Sequence, residues 1–149
     1  MVVGLVADED FAGHYNRNPL NFQSFNVNRI EMLRNGKRTP RYGYTPNFTT
    51  NQYIKDYNTL FSQLNYNKGD KCVALSPEEW ATGYTFYSFK ITDVSIGPGA
   101  HAPRSCISTG KLRLSIGFSQ ANNLSIKVIL LSQSVGFFDI NQFKTVVAA

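Results

Sequence analysis

The stretch KLRLSIGF, residues 111–118, alternates without a break. Leu112, Leu114, Ile116 and Phe118 fall on one side, and Lys111, Arg113 and Ser115 on the other. A period of two with one apolar face belongs to a strand lying on a core with its back to water, and a helix cannot satisfy it. Related runs recur along the chain. NLSIKVILL (123–131) directs Leu124, Ile126, Val128 and Leu130 inward, with Ile129 and Leu131 adding apolar surface to the other face. YTFYSFKI (84–91) is aromatic on both faces, as a strand covered on both sides would be, while VVGLVA opens the series and FFDINQF closes it. In FQSFNVNRIEMLRNG the alternation starts on Phe25 and Val27 and changes phase to Ile30 and Met32, which predicts a bulge. Asn35-Gly36 follows as a hairpin turn, because both residues tolerate positive φ. These signals predict one all-β domain over residues 1–149, a jelly-roll β-sandwich of about eight antiparallel strands.

One segment breaks the pattern. In PNFTTNQYIKDYNTLFSQLN (46–65), Tyr53, Tyr57, Leu60, Phe61 and Leu64 form a single stripe of 3.6-residue period, an inserted amphipathic helix. Lys55, Asp56, Thr59, Ser62 and Gln63 lie largely off the stripe. Thr49 and Gln52 have capping-box spacing, flanked by Phe48 and Tyr53 as a hydrophobic staple. If the stripe faces core, Phe61→Ala costs about 3–5 kcal/mol. A short second helical turn is expected at SPEEWATG, with Ser76 as N-cap, Pro77 at N1, Glu79 at N3 and Gly83 at the end. Its Trp80 reads as a core plug. DEDFAGHYNRNP reads as a polar loop. TDVSIGPGAHAPRSCISTG (92–110), with Gly97-Pro98-Gly99 and Pro103, reads as a long functional or interfacial loop.

Only 17% of the 149 residues are charged, below the usual quarter or so, while 13% are aromatic, a balance that favours sheets. No apolar run is long enough to span a membrane, and the start has no basic flank or cleavage site, so cytosolic synthesis is expected. Cys72 and Cys106 form no C-x-x-C motif and read as free thiols, with a disulfide the alternative.

Catalytic signals are thin. His14 and His101 stand alone in Gly- or Pro-containing loops, and Asp8, Glu9 and Asp10 read as a solvated acidic loop rather than a cation site. No nucleophile elbow, P-loop or dinucleotide fingerprint is present, and Gly97-Pro98-Gly99 opens no helix that could cradle phosphate. Neither an enzyme activity, a cofactor nor a metal is expected. The net charge of +5 includes one local cluster, Arg34, Lys37, Arg38 and Arg41, a candidate contact for an acidic partner or nucleic acid whose bland reading is a solvated turn.

The segments NPLNFQSFNVNRIEMLRNGKRTPRYGYTPNFTTNQYIKDYNTLF, GYTFYSFKIT, GKLRLSIGF and FFDIN together resemble one family in wording and in order. It is the C-terminal jelly roll of the major capsid proteins of Maverick/Polinton elements and adintoviruses, copies of which lie in animal genomes. The matching positions are Asn18, Pro19, Asn21, Phe22, Gly36, Pro40, Pro46, Asn47, Phe48, Gln52, Tyr53, Tyr57, Leu60 and Phe61. They continue through Gly83, Tyr84, Phe86, Phe89, Thr92, Gly110, Arg113, Phe118, Asp139 and Ile140. The resemblance implies a structural, non-enzymatic protein that self-assembles through its side faces into trimeric capsomers, located in the virion or in the host cell's cytoplasm or nucleus. The chain departs from the family pattern at Lys90, where an Asp is usual, at LLSQSVGFF and at Phe143. Family members carry two jelly rolls in tandem, so the expected partners are further copies or a missing N-terminal jelly roll. The alternative is a co-opted single-domain module that binds a host or foreign protein or glycan through its loops.

Overall fold

In a computed structural model the described residues are 1–64, 66, 74–91 and 110–132, with the backbone of 138–140 and 146–148. Cys72, His101, Cys106, Phe143 and the predicted loop at 92–109 lie outside them. Eleven elements follow in chain order: β1 (Val2–Ala7), α1 (Asp8–Phe11), β2 (Val27–Arg34), β3 (Lys37–Tyr44), α2 (Ile54–Leu64), α3 (Pro77–Thr82), β4 (Phe86–Ser88), β5 (Leu112–Phe118), β6 (Ile126–Leu131), β7 (Phe138–Ile140) and β8 (Val146–Ala148).

The chain is mainly β. Two antiparallel sheets of three strands, ordered β4-β1-β6 and β3-β2-β5, carry six strands, and β7 pairs only with β8. Among the described residues the two sheets therefore hold six strands, not the expected eight or so. The aromatic run at 84–91 contributes the three residues of β4, because the Gly83 and Tyr84 N–H groups still close α3 on the Glu79 carbonyl, while Phe89 exchanges backbone hydrogen bonds with Met1 just beyond the end of β1.

One core joins the sheets. Val3 and Leu5 of β1, Ile30 and Met32 of β2, Tyr44 of β3 and Tyr87 of β4 are buried together with Leu60 and Trp80. Leu114 and Ile116 of β5 and Ile126 of β6 pack against the edge of this cluster. β1 is buried on both faces: a side chain at Gly4 would stand 2.5 Å from the Phe22 ring, which lies over it and pairs with Phe86.

The predicted phase change in β2 is present as two register shifts, between Val27 and Arg29 against β5 and between Ile30 and Met32 against β3. Asn35 (φ 49°) and Gly36 (φ 82°) turn the β2–β3 hairpin in the left-handed region expected of them. The helices correct the sequence reading in three places. Residues 8–11 form a helical turn rather than loop. Thr49 and Gln52 make no capping box: Asn47 and Gln52 exchange backbone hydrogen bonds across a tight loop, with Asn51 at φ 55°, and α2 begins only at Ile54. Phe48 and Tyr53 do stack, with ring centroids 5.6 Å apart. The third correction concerns Asp56, which is buried at 2% exposure, on the face shared with Tyr53 and Leu60. By contrast α3 carries the predicted capping box, Ser76 Oγ accepting from the Glu79 N–H and Glu79 Oε2 from the Ser76 N–H.

Candidate assembly surface

The two long sides of the pair of sheets differ. On the first, the edges of β3 and β4 are tied together and roofed by α2. The Tyr44 hydroxyl donates to the Ser88 carbonyl at 2.7 Å, and Ser88 Oγ donates to the Leu60 carbonyl at 2.8 Å. The Thr45 N–H donates to Asp56 Oδ1 at 2.9 Å, and the Lys90 N–H to Gln63 Oε1 at 3.2 Å, so helix and strands share their polar groups. Burial raises the Asp56 pKa despite the hydrogen bond from Thr45. It pushes the Tyr44 phenol up to about 12 and the Tyr87 phenol higher still, so both stay neutral. Trp80, fully buried, seals the end of this side, its centroid 5.9 Å from both Tyr53 and Tyr87 and its Nε1–H on the Phe86 carbonyl.

The predicted helix stripe lies on this roof. Tyr53 and Leu60 are buried, while Tyr57, Phe61 and Leu64 are partly buried against the core. The helix thus buries a narrower strip than its periodicity suggests, because it crosses a sheet edge rather than a sheet face.

The predicted basic cluster is dispersed. Arg34 donates to the Ile91 carbonyl at 2.7 Å, and Arg38 pairs with the buried Glu31 at 3.0 Å, sharing it with Arg29. Lys37 is exposed, and Arg41 lies over the Tyr42 ring, 5.7 Å from its centroid. Lys37, Arg38 and Arg41 all belong to edge strand β3. Pro40, which has no N–H, sits in the bulge where the ladder passes from Met32↔Thr39 to Ile30↔Tyr44. Charge, proline and bulge on one edge are the devices that stop a strand from pairing further.

The opposite side, formed by β5 and β6, carries cations at Lys111, Arg113 and Lys127, but it has no proline in either strand and a register shift only near the Phe118 end of β5. Residues directly opposite in an antiparallel ladder share a face. Val128 is opposite Leu5 and Leu130 is opposite Val3, both core residues, so Val128 and Leu130 lie on the core face of their sheet. Yet they are 44% and 55% exposed. On β5, Ile116 opposite Ile30 reaches the core while Phe118 and Leu112 at its ends are exposed. The result is a groove of about 660 Å³ between the two edges, with Leu5 at its floor and Ile116, Phe118, Leu124, Ile126 and Val128 on its walls. The alternation in KLRLSIGF and NLSIKVILL marks these faces as inward; what it cannot reveal is that nothing among the described residues covers them.

The acidic triplet is used locally. Asp10 and Glu9 pair with Arg17 at 2.8 and 2.9 Å, and Asp8 pairs with Lys127 at 3.2 Å. His14 is exposed. Among the described residues no group of three or more His, Cys, Asp or Glu could hold a metal ion, and no helix is long and apolar enough to cross a membrane. Compared with known proteins, the chain matches no family model, no curated protein and no solved structure.

Proposed function

We propose that this chain is a structural, non-enzymatic protein built on a capsid-type jelly roll and acting through assembly. The observation that carries the reading is strand order. A jelly roll has eight strands in two Greek keys; lettered B to I in chain order, they lie in sheets B-I-D-G and C-H-E-F. The order β4-β1-β6 corresponds to G-D-I, and β3-β2-β5 to F-E-H. Six strands in unbroken chain order occupy six positions, with none out of place. The two positions left over, B and C, adjoin β6 and β5, on the side where the core face is uncovered. The insertion of α2 between β3 and β4, and the ordered set of motifs in the sequence, support the same reading.

In this account the chain works as one jelly roll of a capsomer, in the virion or in the cytoplasm or nucleus of a host cell, with further copies or an N-terminal jelly roll as partners. Native mass spectrometry over a concentration series tests it: trimers are expected, and monomers alone at the highest concentration, with the neighbouring jelly roll supplied, count against it. The open groove also favours a second reading, a co-opted module that binds a foreign segment there. A longer reading frame that encodes a preceding jelly roll would exclude that alternative. Nucleic-acid binding has less support, because Arg34 and Arg38 are already engaged.

A further inference from the structure

We infer that the β5–β6 side is a docking site for a pair of β-strands from outside residues 1–149, one added to each edge, apolar toward the groove and acidic where it runs beside β5. The inference deepens the jelly-roll reading and rests on it. Three observations select this occupant.

The first is the form of the vacancy. Two neighbouring edges in different sheets are unpaired among the described residues, and the core faces beside them are exposed at Val128, Leu130 and Phe118. A small ligand in the groove would leave both rows of edge N–H and C=O groups to water, whereas an added strand pairs a row while its alternate side chains fill the groove.

The second is charge. Residues 110–132 contain Lys111, Arg113 and Lys127 and no acidic residue. Lys127 is neutralised by Asp8, and Lys111 and Arg113 are exposed beside the β5 edge. Arg113 is opposite Leu33, hence off the core face, so an acidic residue on the outer face of an added strand would stand next to it. A second copy offering the same edge would instead bring like charges together.

The third is what the rest of the chain can offer. β7 and β8 pair with each other, and in a jelly roll they follow the last strand, whereas positions B and C precede the first. Residues 92–109 contain a single acidic residue, Asp93, and so little of the negative charge that the β5 edge favours.

The test uses the whole chain and a synthetic peptide of two Val/Thr-rich strands joined by a Gly/Ser linker, with Glu at alternate positions of the strand meant for β5. A second peptide carries Lys in place of Glu. Binding of the Glu peptide should be about tenfold tighter than that of the Lys peptide. It should slow hydrogen exchange at alternate amides of β5 and β6 and leave β3 and β4 unchanged. K111E with R113E should reverse the preference, and V128D, its folding checked by circular dichroism, should remove binding. Protection at β3 instead, equal binding of both peptides, or edges already occupied by a second copy or by residues 133–149 would overturn the inference. Trimers that form while the β5 and β6 amides stay open would sink the inference and leave the assembly reading standing. Peptide binding without any oligomer would do the reverse.

Discussion

The β3–β4 side and the β5–β6 side of the same pair of sheets handle their edges in different ways. On the first, a three-residue edge strand is roofed by a helix, and its neighbour carries cations, a proline and a bulge. On the second, two longer strands have outer edges unpaired among the described residues, with apolar residues on faces that the ladder register assigns to the core. The clean inward alternation in sequence belongs to β5 and β6, whereas the run that holds β4 is aromatic on both faces and β3 has no such alternation. The two sides also differ in what covers their apolar faces among the described residues, which is the distinction between a closed edge and one open to a further strand.

The contrast predicts a gradient of mutational cost. Trp80→Ala should be the most damaging, about 3–5 kcal/mol in denaturant unfolding, because it removes a fully buried indole from the centre of an aromatic cluster. Phe61→Ala should cost less than the range expected from its stripe alone, about 1–2 kcal/mol, since the ring is only partly buried where α2 crosses the edge. A loss as large as that of Trp80→Ala would mean that the roof is deeper than its burial implies.

Asp56→Asn tests the polar joint between roof and strand. Burial raises the carboxyl pKa above its unfolded value. The stability this group contributes is thus fully present below the unfolded pKa and is lost as pH rises through the folded one. Asn keeps an oxygen to accept the Thr45 N–H and carries no charge. The variant should therefore melt at or above the wild-type temperature at neutral pH, and the difference should shrink as pH falls toward 4. A variant that melts lower at neutral pH would show that the ionised carboxylate is needed. At the bottom of the gradient, Val128→Thr on the open side should shift stability by no more than about 0.5 kcal/mol in the chain alone. Its effect should grow once a strand pair is bound, which thermal melts with and without the peptide would reveal.

The readable parts of the fold were those set by neighbours in sequence. Asn35-Gly36, the Ser76–Glu79 capping box and the phase change at Ile30 each depend on a few consecutive residues, and each stands where it was expected. Trp80 was legible as a core plug because little else suits a lone, large indole. What failed depended on tertiary context. Asp56 looks like a surface residue by its charge, and its burial is compensated by groups that include the Thr45 N–H from outside the helix. Thr49 and Gln52 fit a capping box by spacing, but the Asn47–Gln52 backbone pair takes that turn for a loop. The basic cluster was contiguous in sequence and was divided by a hairpin whose two strands send Arg34 and Arg38 to different acceptors. The open groove could not be read at all: an inward pattern specifies a face, and coverage of that face depends on which strands come to lie beside it.

Hydrogen exchange on the monomeric chain of residues 1–149 tests the central claim most directly. Amides of β5 and β6 that point away from β2 and β1 should exchange at the earliest times, while those of β4 and of α2 around Leu60 should remain protected. Equal protection on both sides, with no peptide and no dimer present, would contradict the account, because the β5–β6 edge would then already be closed.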